Sequence, residues 1–402
     1  MTVPDVFDPV RLGSIELRNR TVKAATFEGM TPGALVSDQL VDFHRSFAAG
    51  GVGMTTMAYV AVAPEGRTHR DQVFLREAAL PGLRRLTDAV HAEGAMANAQ
   101  IGHAGPVANG RSNGIHAIAP SRTFSPLSMQ MVHAASEKDL ARITRDYVSG
   151  VRLAVRAGFD CLEMHLGHGY LLSSFLAPNV NRRKDKYGGS LENRARFPRQ
   201  VLRAVKEEVG DEVALIAKLG MLDGVRGGFY VDESLELAAM IEEDGVLDAM
   251  QLSAGSSLMN PMYLFRGDVP LEDFAASMPL PVRLGLKTPI GKGFLREYPY
   301  EPAFLLPHAE KFRAAVEMPL MLLGGIDTKD TMDLAMREGF QFVAIGRALL
   351  REPDLVNRMK AGQQKASCIH CNLCMPSIYT GTRCVLDHPE PLQLGPLNGV
   401  SA

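Results

Sequence analysis

No stretch of the 402-residue chain approaches about 18 consecutive apolar residues, which excludes a transmembrane helix. The opening MTVPDVFDPVRLG lacks a basic segment followed by an apolar core, so no secretory leader is expected. An excess of charge is missing too. Forty-three Lys and Arg face 45 Asp and Glu, a net of −2, which argues against nucleic acid or an anionic membrane as a main partner. No G-x-G-x-x-G follows a candidate strand and no G-x-x-x-x-G-K-[ST] occurs, so neither a dinucleotide-binding sheet nor a P-loop has motif support. Cysteine is scarce, with five residues, and a disulfide framework would need pairs spread through a short secreted chain. What remains is ordinary globular usage, 46% apolar and 22% charged. The expectation is a soluble cytoplasmic protein with a small-molecule substrate; a homo-oligomer is left open.

Length alone allows about two or three domains, though one α/β barrel can absorb most of it. Eight short, mostly apolar runs read as strands buried on both faces: 21–25, 52–58, 96–101, 161–165, 214–219, 248–253, 319–324 and 341–345. Helix patterns lie between them. Ser37 opens one with Leu40, Val41, His44 and Phe47 on a shared face, and Gly50 ends it. Ser136 and Asp139 form a capping box before Leu140, Ile143, Tyr147, Val151 and Ala154. Asp327 and Asp330 are read as another, with Gly339 as the stop. After Ser190, Pro198 is expected to kink the helix or mark its first turn. Eight strand–helix units predict a (β/α)8 TIM barrel, with a doubly wound sheet as the alternative. The barrel is expected over residues 1–365, followed by a cysteine-containing tail over 366–402. Connections 102–135 and 254–300 are long and leave strand C-termini, where barrel active sites are built.

The tail holds Cys368, Cys371, Cys374 and Cys384. C-x2-C-x2-C followed by a further Cys reads as a metal or iron–sulfur motif; a relict motif without metal, or a structural zinc, stays open. At the fourth strand's end, Glu163-Met164-His165-Leu166-Gly167-His168-Gly169-Tyr170 projects two imidazoles and a phenol into the barrel mouth. His-x-x-His without a helical acidic partner is a poor zinc pattern. Three such rings suit holding a carbonyl oxygen and delivering a proton beside it. After strands seven and eight stand Gly324-Gly325 and Gly346-Arg347. Barrels often bind a phosphate there, with glycine backbone N–H groups and a forked cation on its oxygens.

The run His165-Leu166-Gly167-His168-Gly169-Tyr170, continuing through Leu176-Ala177-Pro178 to Tyr187-Gly188-Gly189-Ser190 and Glu192-Asn193-Arg194, resembles the Old Yellow Enzyme family of FMN-dependent ene-reductases. Asn19-Arg20, Gln100-Ile101-Gly102-His103-Ala104-Gly105 and Ala344-Ile345-Gly346-Arg347 support the likeness, which spans roughly residues 5–365. The resemblance implies a barrel that holds FMN over its mouth and is reduced by NAD(P)H. It implies that Ala24, Ala25 and Thr26 lie along the flavin with Ala58 beside it, and that Gln100 meets the pyrimidine edge. Lys218 replaces the family's usual arginine near N1 and O2, keeping the charge but losing the fork. His165 and His168 would bind the substrate's electron-withdrawing oxygen, and Tyr170 would donate the proton. Phe27 falls near where members often carry a Thr or Cys that tunes the flavin.

The tail resembles a narrower branch, that of 2,4-dienoyl-CoA reductase and trimethylamine dehydrogenase, in which a [4Fe–4S] cluster relays electrons to or from further domains. Here the Cys374–Cys384 gap is shorter, the branch's extra catalytic His after the sixth strand is missing, and the chain has no Trp for an amine cage. It also stops at Ala402, without a flavin or nicotinamide domain for a cluster to serve. The expected activity is therefore reduction of the C=C bond of an α,β-unsaturated carbonyl or related compound. The rivals are an FMN/[4Fe–4S] enzyme acting on an amine or enoyl-CoA with an electron-transfer partner, and a non-catalytic barrel.

Overall fold

In the computed structural model, which describes residues 3–393 apart from Pro279 and Lys287, eight parallel strands close into a barrel. They are β1 (Thr21–Lys23), β2 (Met54–Ala61), β3 (Met96–Gly102), β4 (Cys161–Leu166), β5 (Ala214–Gly220), β6 (Ala249–Ser253), β7 (Leu320–Leu323) and β8 (Phe342–Ile345). Each falls on one of the eight apolar runs, and β8 pairs with β1 to close the ring. The (β/α)8 expectation is met; the doubly wound alternative is not.

The main outer helices are α1 (Asp38–Ala49), α2 (Leu80–Ala92), α3 (Glu137–Arg156), α4 (Leu191–Val209), α5 (Val231–Asp244), α6 (Leu306–Ala315) and α7 (Lys329–Arg337). Ser37 caps α1 by accepting from Leu40 N–H, and Ser136 with Asp139 makes the expected box on α3. The cap of α7 differs from expectation. Thr328 and Thr331 form the box, because the Asp327 carboxylate is turned away toward His370. Pro198 lies in the interior of α4, beyond its first turn.

Side chains alternate along each strand. Val22, Ala24, Met54, Cys161, Ala214, Ile216, Ala249, Met321, Leu323, Phe342 and Ala344 pack together inside the barrel, with Leu12 and Leu17 of an N-terminal hairpin (Val10–Leu12 and Ile15–Leu17) among them. The outward set packs under the helices as the main core.

Both long connections carry structure of their own. Residues 102–135 form a small sheet from Ile118–Ala119, Thr123–Ser125 and Gln130–Ala134. In 254–300, Met262, Ala275, Leu286 and Leu295 make a satellite core together with Met375 of the tail. No helix among the described residues is long and apolar enough to cross a membrane. The end of the tail, 394–402, lies outside the described residues.

Candidate active site

The site is built on the end of β4. Glu163 and His165 share the inward face, and the chain beyond Leu166 then reverses through two left-handed residues, His168 (φ 60) and Gly169 (φ 76). A histidine there is strained, so its surroundings must hold it. They do: Ser257 N–H donates to His168 O at 3.0 Å, and His168 Nε2 lies 2.7 Å from Ser253 Oγ on β6. This turn is what brings three rings together. Tyr170 stacks on His165 with centroids 4.3 Å apart and 19° between planes, and His168 meets His165 edge-on at 5.1 Å. Tyr59 closes the group edge-on to Tyr170 at 5.2 Å, with its own hydroxyl donating to Gly66 O at 2.6 Å.

Electrostatics set the protonation. Burial, then neighbouring His168 and Lys218, pushes His165 well below the ordinary histidine range. Burial and Lys218 push His168 down to about 3. Both imidazoles are neutral at physiological pH. His165 Nδ1 accepts from Gly167 N–H at 3.2 Å, which leaves the ring proton on Nε2 as a donor. The pair therefore offers hydrogen bonds without charge.

Below the rings lies a polar group inside the barrel. Lys218 Nζ is 3.0 Å from Glu163 Oε2, and Gln100 Nε2 donates to the same oxygen. Glu163 Oε1 and both amide atoms of Gln251, all buried, have no partner among the described residues. Gln251 is in register with Lys218 across β5 and β6. Buried polar atoms left unpaired are costly, so this pattern fits a bound polar group such as a flavin's pyrimidine edge. Sequence reasoning missed Glu163, Gln251 and Tyr59. The signal for the first two was a polar residue at every second position of an otherwise apolar strand.

Ala24, just past β1, and Ala58, within β2, are buried, with Ala25 and Thr26 half-buried beyond β1. Thr26 Oγ1 accepts from Lys23 Nζ at 2.7 Å. Lys23, also missed, points outward beneath α1 and rests over the Phe43 and Phe47 rings. Glu28 runs alongside: its Oε1 accepts from Ala58 N–H at 2.8 Å and stands 3.4 Å from His44 Nε2.

Gly324 and Gly325 both have positive φ, but a Cβ on Gly325 would meet Ala303 N at 2.5 Å and one on Gly324 would meet the Leu305 side chain at 2.7 Å. The close pass of segment 301–305 is one reason for glycine here. Gly346 instead faces open space. Arg347 Nη1 donates to Arg266 O at 2.8 Å and to Asn372 Oδ1, so the guanidinium joins the barrel to the tail.

Cys368, Cys371, Cys374 and Cys384 line one recess together with Arg347. Burial raises the Cys368 and Cys384 thiols and pushes Cys374 up to about 12, while the Arg347 charge acts against this at Cys368 and Cys374. Among the described residues no three His, Cys, Asp or Glu side chains are set to hold a single metal ion. Four thiols lining one recess are the donor set that an iron–sulfur cluster takes. The loop is clamped from outside: Asn372 Nδ2 donates to Phe265 O and Asp268 O, His370 Nε2 is 3.0 Å from Asp327 Oδ2, and Tyr300 stacks on His370.

A parallel barrel whose mouth carries an uncharged imidazole pair, a phenol and an unpaired polar floor has room and donors for a polar cofactor. The chain belongs to the NADH:flavin oxidoreductase / NADH oxidase family, whose profile matches residues 5–256, and FMN is its cofactor with NAD(P)H as reductant. It is 56% identical over 384 residues, 95% of each chain, to a 4,4'-dithiodibutanoate disulfide reductase of Rhodococcus erythropolis. It is 31% identical to an NADH oxidase of Thermoanaerobacter brockii, covering 92% of this chain and 53% of that one. The chain thus spans about half the length of that second relative. The fold matches an old yellow enzyme homologue from Zymomonas mobilis with a TM-score of 0.72 and 21% identity, over 92% of this chain and 96% of that one. The Old Yellow Enzyme resemblance stands.

Proposed function

We propose that this flavin oxidoreductase reduces the C=C bond of a small acceptor conjugated to an oxygen-bearing group. The observation that carries this reading is Tyr170 stacked on His165 beside His168, with both imidazoles uncharged. FMN, when bound, supplies the two-electron exchange between nicotinamide and acceptor. In this reading Ala24, Ala25, Thr26 and Ala58 flank the cofactor, Gln100 and Lys218 serve its pyrimidine edge, and Gly324, Gly325, Gly346 and Arg347 serve its phosphate end. His165 and His168 hold the acceptor's oxygen and draw charge from its β carbon without adding a fixed cation. The Tyr170 hydroxyl delivers the proton to the α carbon. Residues 1–365 are the catalytic barrel. From 366 runs the cysteine-containing tail, in which Cys368, Cys371, Cys374 and Cys384 would hold a [4Fe–4S] cluster, which supplies one-electron exchange.

A second reading has a specific support, the 56% identity to a disulfide reductase over 95% of both chains. An organic disulfide would take up a hydride, two electrons with their proton, its S–S bond breaking to one thiol and one thiolate. Tyr170 would then protonate the thiolate. The two acceptors separate in one experiment. Enzyme reduced anaerobically with one equivalent of NADH is mixed with cyclohexenone or with 4,4'-dithiodibutanoate, and flavin reoxidation is followed by stopped flow. Faster reoxidation by the enone supports the first reading and faster reoxidation by the disulfide supports the second. Protein that is colourless and cannot be reconstituted with FMN would overturn both.

A further inference from the structure

The buried carboxylate of Glu163 has no role in the chemistry above, yet it sits at the centre of the polar group inside the barrel. Its Oε2 takes two donors, Lys218 at 3.0 Å and Gln100. These come from the strands on either side, since β4 lies between β3 and β5. The Glu163 side chain is fully shielded from solvent and Lys218 is 3% exposed. An ion pair this deep is weak evidence for stability, because desolvating both charges offsets much of their attraction. A purely structural carboxylate would also satisfy both oxygens, whereas Oε1 has no partner among the described residues. Nor does the neighbouring Gln251 amide. A cluster that is expensive to bury and incomplete by itself is built around something else.

We propose that Glu163 is a positioning residue of the cofactor site, fixing Lys218 and Gln100 at one point and cancelling the lysine's charge. This rests on the assignment of Lys218 and Gln100 to the flavin made above. Lys218 alone would put a full positive charge beside the pyrimidine edge and stabilise the anionic reduced cofactor. Paired with Glu163 it remains a hydrogen-bond donor, but the site is nearly neutral. The bound flavin then keeps a low potential and stays a strong hydride donor. The barrel's low-dielectric interior makes that cancellation effective over several ångströms.

Sulfite reads this charge without turnover, because its addition to oxidised flavin is favoured by positive charge at the pyrimidine edge. In FMN-loaded Glu163→Gln, which keeps the side chain's shape and an acceptor oxygen, sulfite should bind about tenfold tighter or more. The midpoint potential should become more positive, and Glu163→Asp should return both readouts toward wild type. FMN-loaded Glu163→Gln with sulfite affinity within about twofold of wild type and an unmoved potential would overturn the proposal. If that variant does not fold, Lys218→Met tests the pair from the other side. It leaves Glu163 uncompensated, so sulfite must bind more weakly, and unchanged or tighter binding overturns the inference. Failure of the wild-type protein itself to retain FMN would instead break the flavin reading.

Discussion

The barrel interior has two unlike arcs. From β7 through β8 to β1, the inward positions Met321, Leu323, Phe342, Ala344, Val22 and Ala24 are apolar throughout. From β2 to β6 the upper inward positions are Thr56, Asn98, Gln100, Glu163, His165, Lys218, Gln251 and Ser253, all buried. Both arcs share the same backbone ladder and the same alternation. The difference lies in what fills the space above them. The apolar arc packs on itself, and only its upper rim, at Ala24, borders the place proposed for the cofactor. The polar arc leaves Asn98 Oδ1, Glu163 Oε1 and both Gln251 amide atoms unpaired. One arc is a core in the ordinary sense and the other is half of a binding site.

If that division holds, substitutions on the polar side should change chemistry far more than stability, and the reverse should hold opposite. The largest effect is expected at Tyr170, just beyond β4 of the polar arc. Tyr170→Phe keeps the ring stacked on His165 and loses only the hydroxyl. Reoxidation of the reduced flavin by an enone should slow roughly 10²–10⁴-fold, the usual loss for a positioned general acid. Reduction by NAD(P)H and reoxidation by oxygen should stay near wild type. An unchanged enone half-reaction in stopped flow would remove Tyr170 from proton delivery.

Across the barrel, Phe342→Ala empties a fully buried ring from the apolar arc. It should cost about 3–5 kcal/mol of stability, measured by urea denaturation. In the protein that remains folded, the flavin spectrum and the enone half-reaction should match wild type. A comparable loss of chemistry would erase the distinction between the arcs.

The smallest effect concerns Lys23, the buried charge on the outer face of the apolar side. Burial lowers its ammonium from 10.5 to about 8, despite the nearby Glu28. Between pH 8 and 10.5 the unfolded chain holds a proton that the folded protein has lost, so stability should rise with pH across that window. Below pH 8 the full cost is present. Lys23→Met should therefore be the more stable protein at pH 7, by roughly 1–3 kcal/mol, with the gap closing as pH approaches 10.5. A gap that stays constant or widens on going alkaline would mean that the lysine is better solvated than its setting under Phe43 and Phe47 implies.

The strands were legible because burial on both faces demands short continuous apolar runs, and none of the eight was misplaced. The α7 cap was misread because Asp327 and Thr328 are both competent caps in sequence. The choice fell to Thr328 because Asp327 is held against His370, 43 positions further along the chain. Distant partners also meet Arg347, whose guanidinium donates to Arg266 and Asn372. Gly324 and Gly325 were read as a phosphate cradle. The pass of segment 301–305 over them could not be foreseen from two adjacent glycines.

Local pattern by itself determined the eightfold strand–helix alternation, the caps at Ser37 and Ser136, and the concentration of His165, His168 and Tyr170 at one strand end. All of these depend on residues within a few positions of one another. Only the closed barrel decided that Glu163 would face Lys218 and Gln100, that Gln251 would be left unpaired, and that His168 would take a left-handed turn pinned by Ser253 and Ser257. Those outcomes depend on which strands become neighbours and on how much water is excluded between them. Burial is also what takes the charge from both histidines, and burial belongs to the assembled fold and not to any segment of it.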